Sequence, residues 1–372
     1  MSGGTVLERH PKLAAMAAAG QSVWLDYIDR ALLETGELER LVALGVTGVT
    51  TNPTIFRKAI GSGERYDASI RHWVASHGSD DTEALLEHLM VEDVRAAADL
   101  LYDVHDRTGG EDGYVSIEVS PLLAHDPSAT LAAAGRLVDA VGRPNLMVKI
   151  PGTRAGLQAI ERGLAAGYNV NVTLLFAPQR YAEVLEAYRR ARVSRSAPAG
   201  VASVASFFVS RIDTKVDGLL DRIGTPAARA LRGRAAIVSA RQAWNHLTRR
   251  LESSEFSTGV MRDARIQRLL WGSTSSKDPA YPDLKYVEAL IGPHTVDTLP
   301  PATLDALLDH GRVEPTLHFD PDGVEAFLDQ LAEVGVDLEQ VTAELEREGV
   351  EAFADSWREL IGILDRKRSA LA

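Results

Sequence analysis

Short runs rich in β-branched and aromatic residues recur along this chain, and longer stretches with helical spacing separate them. That alternation leaves few folds open. Eight runs have strand character: "SVWLDYI" at 22–28, "VTGVTTN" at 46–52, "YVSIEVS" at 114–120, "NLMVKIP" at 145–151, "YNVNVTLLF" at 168–176, "ASVASFFVS" at 202–210, "QRLLWGST" at 267–274 and "HTVDTL" at 294–299. Between them lie helical patterns such as "ALLEHLMVEDVRAAADLLYDVHDRT", ahead of the third run. Strands joined through helices pair in parallel, because each crossover returns the chain to the same end of the sheet. Eight of them in 372 residues predict a closed (β/α)8 TIM barrel of the α/β class rather than an open sheet. No repeat at a spacing of about 20–50 residues is present, which removes a solenoid.

Two regions exceed a minimal barrel. Residues 57–112 are mostly helical and carry more than one helix. After residue 300 the pattern is helical to the end. We read the chain as a single domain, 1–372, with a barrel core at about 20–300 and a tail at 301–372 whose helices pack on the barrel. The stretch "RVSRSAPAG" at 192–200 reads as a loop, broken by Ser, Pro and Gly.

Composition narrows the function. The net charge of −12 argues against nucleic acid and against anionic membrane surfaces. There is no cysteine, so disulfides, thiolate metal sites and a cysteine nucleophile are excluded. The opening "MSGGTVLERHPKLAAMAAAG" lacks a basic region followed by an apolar core, and no apolar run approaches the roughly 18 residues that span a bilayer. A cytoplasmic protein with no membrane partner is expected.

Lys149 stands inside an apolar run, where lysines are rare unless paired or used. Side chains alternate along a strand. On the fifth run one face therefore holds Asn169, Asn171 and Thr173, and the other holds Val170, Val172 and Leu174. A polar face pointing into a barrel is unusual, because barrel interiors are normally filled by bulky branched residues. The same parity places Glu118 inward on the third run, and Ser206 and Phe208 inward on the sixth. Asp26 and Asn52 lie near the ends of the first two runs. Each of these has an ordinary reading when taken singly: a bonded core Asn or Thr, a turn-forming Asp, or a Lys149–Glu118 structural ion pair. Their convergence on the carboxyl ends of the strands, where barrel enzymes keep their active sites, favours chemistry.

The residue types say which chemistry. A partly desolvated lysine has its charged form disfavoured, and a neutral amine attacks carbonyls to form a Schiff base. The imine is an electron sink for cleaving a carbon–carbon bond. A carboxyl such as Glu118 can shuttle the protons, and Asp26 can take one from a substrate hydroxyl. Asn side chains, which both donate and accept, suit sugar hydroxyls. The ten histidines show neither HxH nor HExxH spacing, which speaks against a metal-dependent hydrolase or aldolase. Arg211 just past the sixth run, and Lys277 with a Ser/Thr cluster just past the seventh, suggest a phosphate site in the late barrel loops.

These residues sit in segments that resemble the transaldolase family. The matching pieces are "LDYID", "GVTGVTTNPTIF", "SIEVSP", "LMVKIPGT", "NVNVTLLF", "SFFVSRID", "WGSTSSKD" and "VDTLP", in order over about residues 20–300, and the helical tail fits the longer bacterial members. The resemblance implies a class I, Schiff-base enzyme without metal or organic cofactor. Such an enzyme moves a dihydroxyacetone unit from a ketose phosphate (sedoheptulose 7-phosphate or fructose 6-phosphate) to an aldose phosphate (glyceraldehyde 3-phosphate or erythrose 4-phosphate), in the non-oxidative pentose phosphate pathway. It implies Lys149 as nucleophile, Glu118 acting through a water held with Thr173, and Asp26 as acid/base at the C4 hydroxyl. Asn52, Asn171 and Ser206 would hold the dihydroxyacetone part, and Arg211 the phosphate. Where the best-known members carry an arginine after the seventh strand, this chain has Lys277 in a loop one residue longer.

Two rivals are weighed against this. Aldolases of the same superfamily that release free dihydroxyacetone carry a glutamine and a tyrosine at positions resembling Glu118 and Phe208, so the Glu and Phe here favour transfer. A non-catalytic sugar-phosphate-binding barrel would not need acid, base and nucleophile together. The partners expected are small sugar phosphates, and the protein is expected as a monomer or homodimer, between which the sequence does not choose.

Overall fold

A computed structural model of the chain describes residues 9–77, 81–194, 198 and 200–371. All eight runs form strands within it: β1 Gln21–Leu25, β2 Gly48–Val49, β3 Tyr114–Glu118, β4 Leu146–Pro151, β5 Val170–Leu175, β6 Ser203–Phe208, β7 Arg268–Gly272 and β8 Thr295–Leu299. Neighbours pair in parallel and β8 closes on β1, giving a barrel in chain order, a (β/α)8 fold with flanking helices. Most strands are shorter than the runs because the last residues of the run already belong to the loops at the barrel mouth, whereas β4 and β8 keep theirs and lose only the first. β2 is the extreme case. Thr47 and Thr50 still donate backbone hydrogen bonds to Val23 O (2.9 Å) and Leu25 O (2.8 Å). Asn52, however, caps the helix Pro53–Gly61, with its Oδ1 accepting from Ile55 N at 3.0 Å.

The interior is layered. Trp24, Tyr114, Met147, Val204, Leu270 and Val296 form an apolar cluster separate from the main core. Each precedes by two or four residues a polar or small residue of the same strand face: Asp26, Ser116 and Glu118, Lys149, Ser206, Gly272 and Thr298. The floor of the barrel is therefore apolar and its mouth polar. Gly48 belongs to this packing, since a Cβ there would lie 2.5 Å from the Trp24 indole. The outward faces of the strands join the helices in the main core.

Two expectations for β5 need correction. Asn169 lies just before the strand and is only partly buried. Its Nδ2 donates to Pro144 O and Leu146 O (3.0 Å each) and its Oδ1 accepts from Ala202 N (2.9 Å), so it bridges the feet of β4 and β6. Parity also fails at Leu174, which sits at φ 60 where the pairing with β6 shifts register between Val172 and Leu175. This bulge sends Leu174 toward Gly349 of the C-terminal helix.

The stretch 57–112 holds the end of the helix Pro53–Gly61, then Asp67–His77 and Thr82–Arg107. Of the expected loop at 192–200, Arg192 and Val193 end the helix Pro178–Val193, and 195–197 and 199 lie outside the described residues. The tail forms helices Pro301–His310, Pro321–Glu333 and Leu338–Leu371. The last of these crosses the carboxyl end of the barrel. It packs on Pro53–Gly61, Asp67–His77, Thr82–Arg107, Ser210–Ile223 and β5. Polar ties pin it: Thr54 to Ser356 (3.0 Å), Arg57 to Glu359, Lys215 to Glu344 (2.8 Å), and Lys367 to Asp67 (3.0 Å). Among the described residues no helix is long and apolar enough to cross a membrane.

Candidate active site

Register brings the central residues together. Lys149 on β4 is flanked by Glu118 on β3 and Asn171 on β5. Its Nζ lies 3.3 Å from Glu118 Oε2 and donates to Thr51 O at 2.9 Å. Lys149 is 4% exposed and Glu118 2%. Burial pushes the Glu118 carboxyl up from its ordinary value, against the pull of the Lys149 ammonium. The Glu118 oxygens accept no hydrogen bond of good geometry, and the buried Thr173 Oγ1 has no hydrogen-bond partner among the described residues. Both strands carrying these groups adjoin β4.

Asp26 stands just past β1. Its Oδ1 accepts from Thr50 Oγ1 at 2.8 Å, and Thr50 shares a second hydroxyl contact with Thr298 at 2.6 Å. Burial raises the Asp26 pKa, while Lys149, the Thr50 hydrogen bond and Lys277 act in the opposite direction. Asn171 lies deeper. Its Nδ2 donates to Ser116 Oγ at 3.0 Å and its Oδ1 accepts from Ser206 Oγ at 2.7 Å.

A cavity of about 560 Å³ opens above these groups, large enough for a small sugar phosphate. Asp26, Asn52, Lys149, Ser206, Phe208, Arg211 and Lys277 line it. Glu118, Asn171 and Thr173 lie behind that wall instead. Asn52 spends its carbonyl on the helix cap, which leaves its amide N–H groups as the donors it can offer. A larger hollow of about 770 Å³ lies between the helices Thr82–Arg107 and Pro127–Val141, with Glu118 also on its wall and Arg136 there paired with Glu87 (3.7 Å).

Cations gather on one side of the smaller cavity. Arg211, in the first turn of Ser210–Ile223, has its guanidinium 5.7 Å from the Phe208 ring centroid. Lys277, after β7, donates to Ser275 Oγ at 2.6 Å. Lys58, on the helix Pro53–Gly61, lines the same wall. Among the described residues none of the three has an ion-pair partner within 4.0 Å, although the protein is acidic. Partial burial and then the neighbouring Arg211 lower the Lys277 pKa, with Asp26 opposing. Unpaired cations crowded on one wall are a site for an anion.

Sequence reasoning missed four residues here. Ser116 and Thr51 share strands or loops with chosen residues, and the parity that found Glu118 also places Ser116 inward. Lys58 follows "TTNP" by one and a half helical turns, a spacing that points it back over the mouth. Phe353 comes from the C-terminal helix, and its ring centroid is 5.8 Å from Lys149 Nζ. Nothing local marks it. No group of three or more His, Asp or Glu able to hold a metal occurs among the described residues.

Comparison with known proteins gives the family. Residues 23–364 match the model of a family described as Transaldolase/Fructose-6-phosphate aldolase. The chain is 46% identical over 360 residues to a protein named Transaldolase from Mycobacterium tuberculosis (strain ATCC 25618 / H37Rv), covering 95% of this chain and 96% of that one. Proteins of the same name from Mycobacterium leprae (strain TN) and Frankia alni are 45% and 46% identical, again over 95% of this chain and 96% of theirs.

Proposed function

The chain belongs to the transaldolase/fructose-6-phosphate aldolase family and is an enzyme of the transaldolase type, and from that premise we propose that it transfers a dihydroxyacetone unit between sugar phosphates through a Schiff base on Lys149. The donor is a ketose phosphate such as fructose 6-phosphate or sedoheptulose 7-phosphate. The acceptor is an aldose phosphate such as erythrose 4-phosphate or glyceraldehyde 3-phosphate, which places the reaction in the non-oxidative pentose phosphate pathway. The observation that carries the reading is a primary amine, buried at the barrel mouth within 3.3 Å of a carboxyl, on the wall of a cavity that also holds Asp26 and three unpaired cations.

The steps follow from the positions. An ion pair buried this deeply is costly to keep charged. Burial raises the Glu118 carboxyl, so that it can take up and return protons beside the amine, whose neutral form is the nucleophile. Nζ adds to the C2 carbonyl of the ketose. The carbinolamine loses water to give a protonated imine, with Glu118 and a water held against Thr173 moving the protons. Asp26 takes the proton of the C4 hydroxyl, the C3–C4 bond breaks, and its electron pair passes into the imine as an enamine. The aldose phosphate leaves. An acceptor aldehyde then takes the enamine carbon, Asp26 returns its proton, and hydrolysis frees the amine. Ser206 and the Asn52 amide hold the dihydroxyacetone hydroxyls. Asn171 acts through Ser206, whose hydroxyl it orients, rather than by direct contact. Arg211 and Lys277 hold the phosphate. No metal or organic cofactor enters these steps.

Borohydride reduction in the presence of fructose 6-phosphate, followed by peptide mapping, tests this. A three-carbon adduct is expected on the peptide holding Lys149, and an adduct on another lysine would overturn the assignment. Turnover assayed with and without erythrose 4-phosphate separates transfer from release of free dihydroxyacetone. Phe208 favours transfer, since a phenyl ring cannot hold a hydrolytic water as a phenol can.

A further inference from the structure

The proposed imine must survive from donor cleavage until an acceptor arrives, and on that reading we propose that Phe353 of the C-terminal helix shields it from water and thereby sets transfer above hydrolysis. Phe353 is 4% exposed and, among the described residues on the cavity wall, is the one supplied by the C-terminal helix. Its ring centroid lies 5.8 Å from Lys149 Nζ. The ring meets Phe208 nearly edge-on, with centroids 6.3 Å apart at 61°, and Phe208 in turn lies 5.4 Å from Phe176. Three aromatic rings thus pack in a row, and two of them, Phe208 and Phe353, face the cavity. Two come from the barrel and the third from the helix laid across it.

The ring's place is fixed on both sides. One turn earlier, Gly349 allows the helix to approach so closely that a Cβ there would lie 3.2 Å from Leu174 and Phe176. About one turn later, Ser356 bonds Thr54 at 3.0 Å. Residues three and four apart share a helix face, so all three contacts point the same way. A phenyl ring at this position offers water no hydrogen bond. Its face attracts a cation, and the protonated imine is one. Hydrolysis needs a water at the imine carbon, and a ring this close to the amine narrows the approach to it.

The test uses the full chain with Phe353→Ala and Phe353→Leu. Release of free dihydroxyacetone from fructose 6-phosphate is measured against transfer to erythrose 4-phosphate, with thermal melting as a control. Phe353→Ala should raise the release-to-transfer ratio by about tenfold, equivalent to ~1.4 kcal/mol. Phe353→Leu, which restores bulk without a ring, should stay close to the wild type. If the alanine variant melts below the assay temperature, Phe353→Val carries the same comparison. An unchanged ratio in the small-residue variant, or a leucine variant as leaky as the alanine, overturns the shielding role. A wild-type chain that traps no borohydride adduct would instead remove the Schiff-base reading on which this one stands.

Discussion

At the scale of single residues, the site turns on a carboxyl and an amine that share a buried space. Glu118 keeps its proton to higher pH than an ordinary glutamate because burial penalises its charge. The rate of imine formation should therefore change across an inflection above the usual carboxylate range. Glu118→Gln should abolish that inflection and slow imine formation by about 10²–10⁴-fold, as for a lost general acid/base. Stopped-flow measurement of the half-reaction with fructose 6-phosphate across pH checks both, and a wild-type profile in the variant would exclude the role. Arg211→Ala removes a partly buried cation proposed to hold the phosphate, and charge-assisted hydrogen bonds of that kind are worth roughly 1.5–3 kcal/mol. KM for phosphorylated donors should rise about ten- to a hundredfold, while the weak reaction with unphosphorylated fructose hardly changes. Lys277→Ala should show the same selectivity. Equal loss on both substrates would place Lys277 outside the subsite and leave Ser275, which it bonds, as the better candidate. Phe208→Tyr should raise free dihydroxyacetone relative to transfer, measured in the same two assays.

At the scale of elements, period-two alternation did most of the work. It placed Glu118, Ser206 and Phe208 inward, while Lys149 stood out as a lysine within an apolar run. It failed where the backbone left regular pairing. The bulge at Leu174 depends on how β5 meets β6 and on the helix above, which alternation within one strand does not encode. β8 shows a second gap. Asp297 takes the outward parity beside Val296, in register with Trp271, and is fully buried among the helices. Thr274 donates to its Oδ1 at 3.1 Å, while Oδ2 has no hydrogen-bond partner among the described residues. Burial pushes its pKa up to about 8. Between about 4 and about 8 the folded chain therefore holds a proton that the unfolded chain has lost. Stability must fall as pH rises through that window. Asp297→Asn removes the titrating group, so its melting temperature should decline less over this range and exceed the wild type's near the upper end. Parallel melting curves in both would show that the carboxyl is already charged when folded.

At the scale of the whole molecule, the C-terminal helix is part of the barrel's closure. Leu345, Phe353, Trp357, Leu360 and Leu364 bury their side chains against it. At about 1.5–3 kcal/mol each, these come to the order of 10 kcal/mol. That is comparable to the whole stability of a typical folded protein, about 5–15 kcal/mol. A chain ending at residue 337 should therefore be insoluble or melt far below the full chain, as soluble yield and thermal unfolding would show. A truncated chain with near-normal melting would mean that the helix is an accessory.

The sequence by itself determined the order of strands, their inward faces and the residues at their carboxyl ends, because each depends on alternation and spacing within one short segment. The resemblance to a known family rested on those same segments. Tertiary structure alone decided what meets across the mouth. Phe353 follows Lys149 by more than two hundred residues, and nothing near it marks it as part of the site. Its place is set by how one long helix packs over the strands, a long-range outcome of shape and burial. The same holds for Asn171. Its strand face was legible, but its bonds to Ser116 and Ser206, which set it behind the cavity wall, exist only once three strands stand side by side.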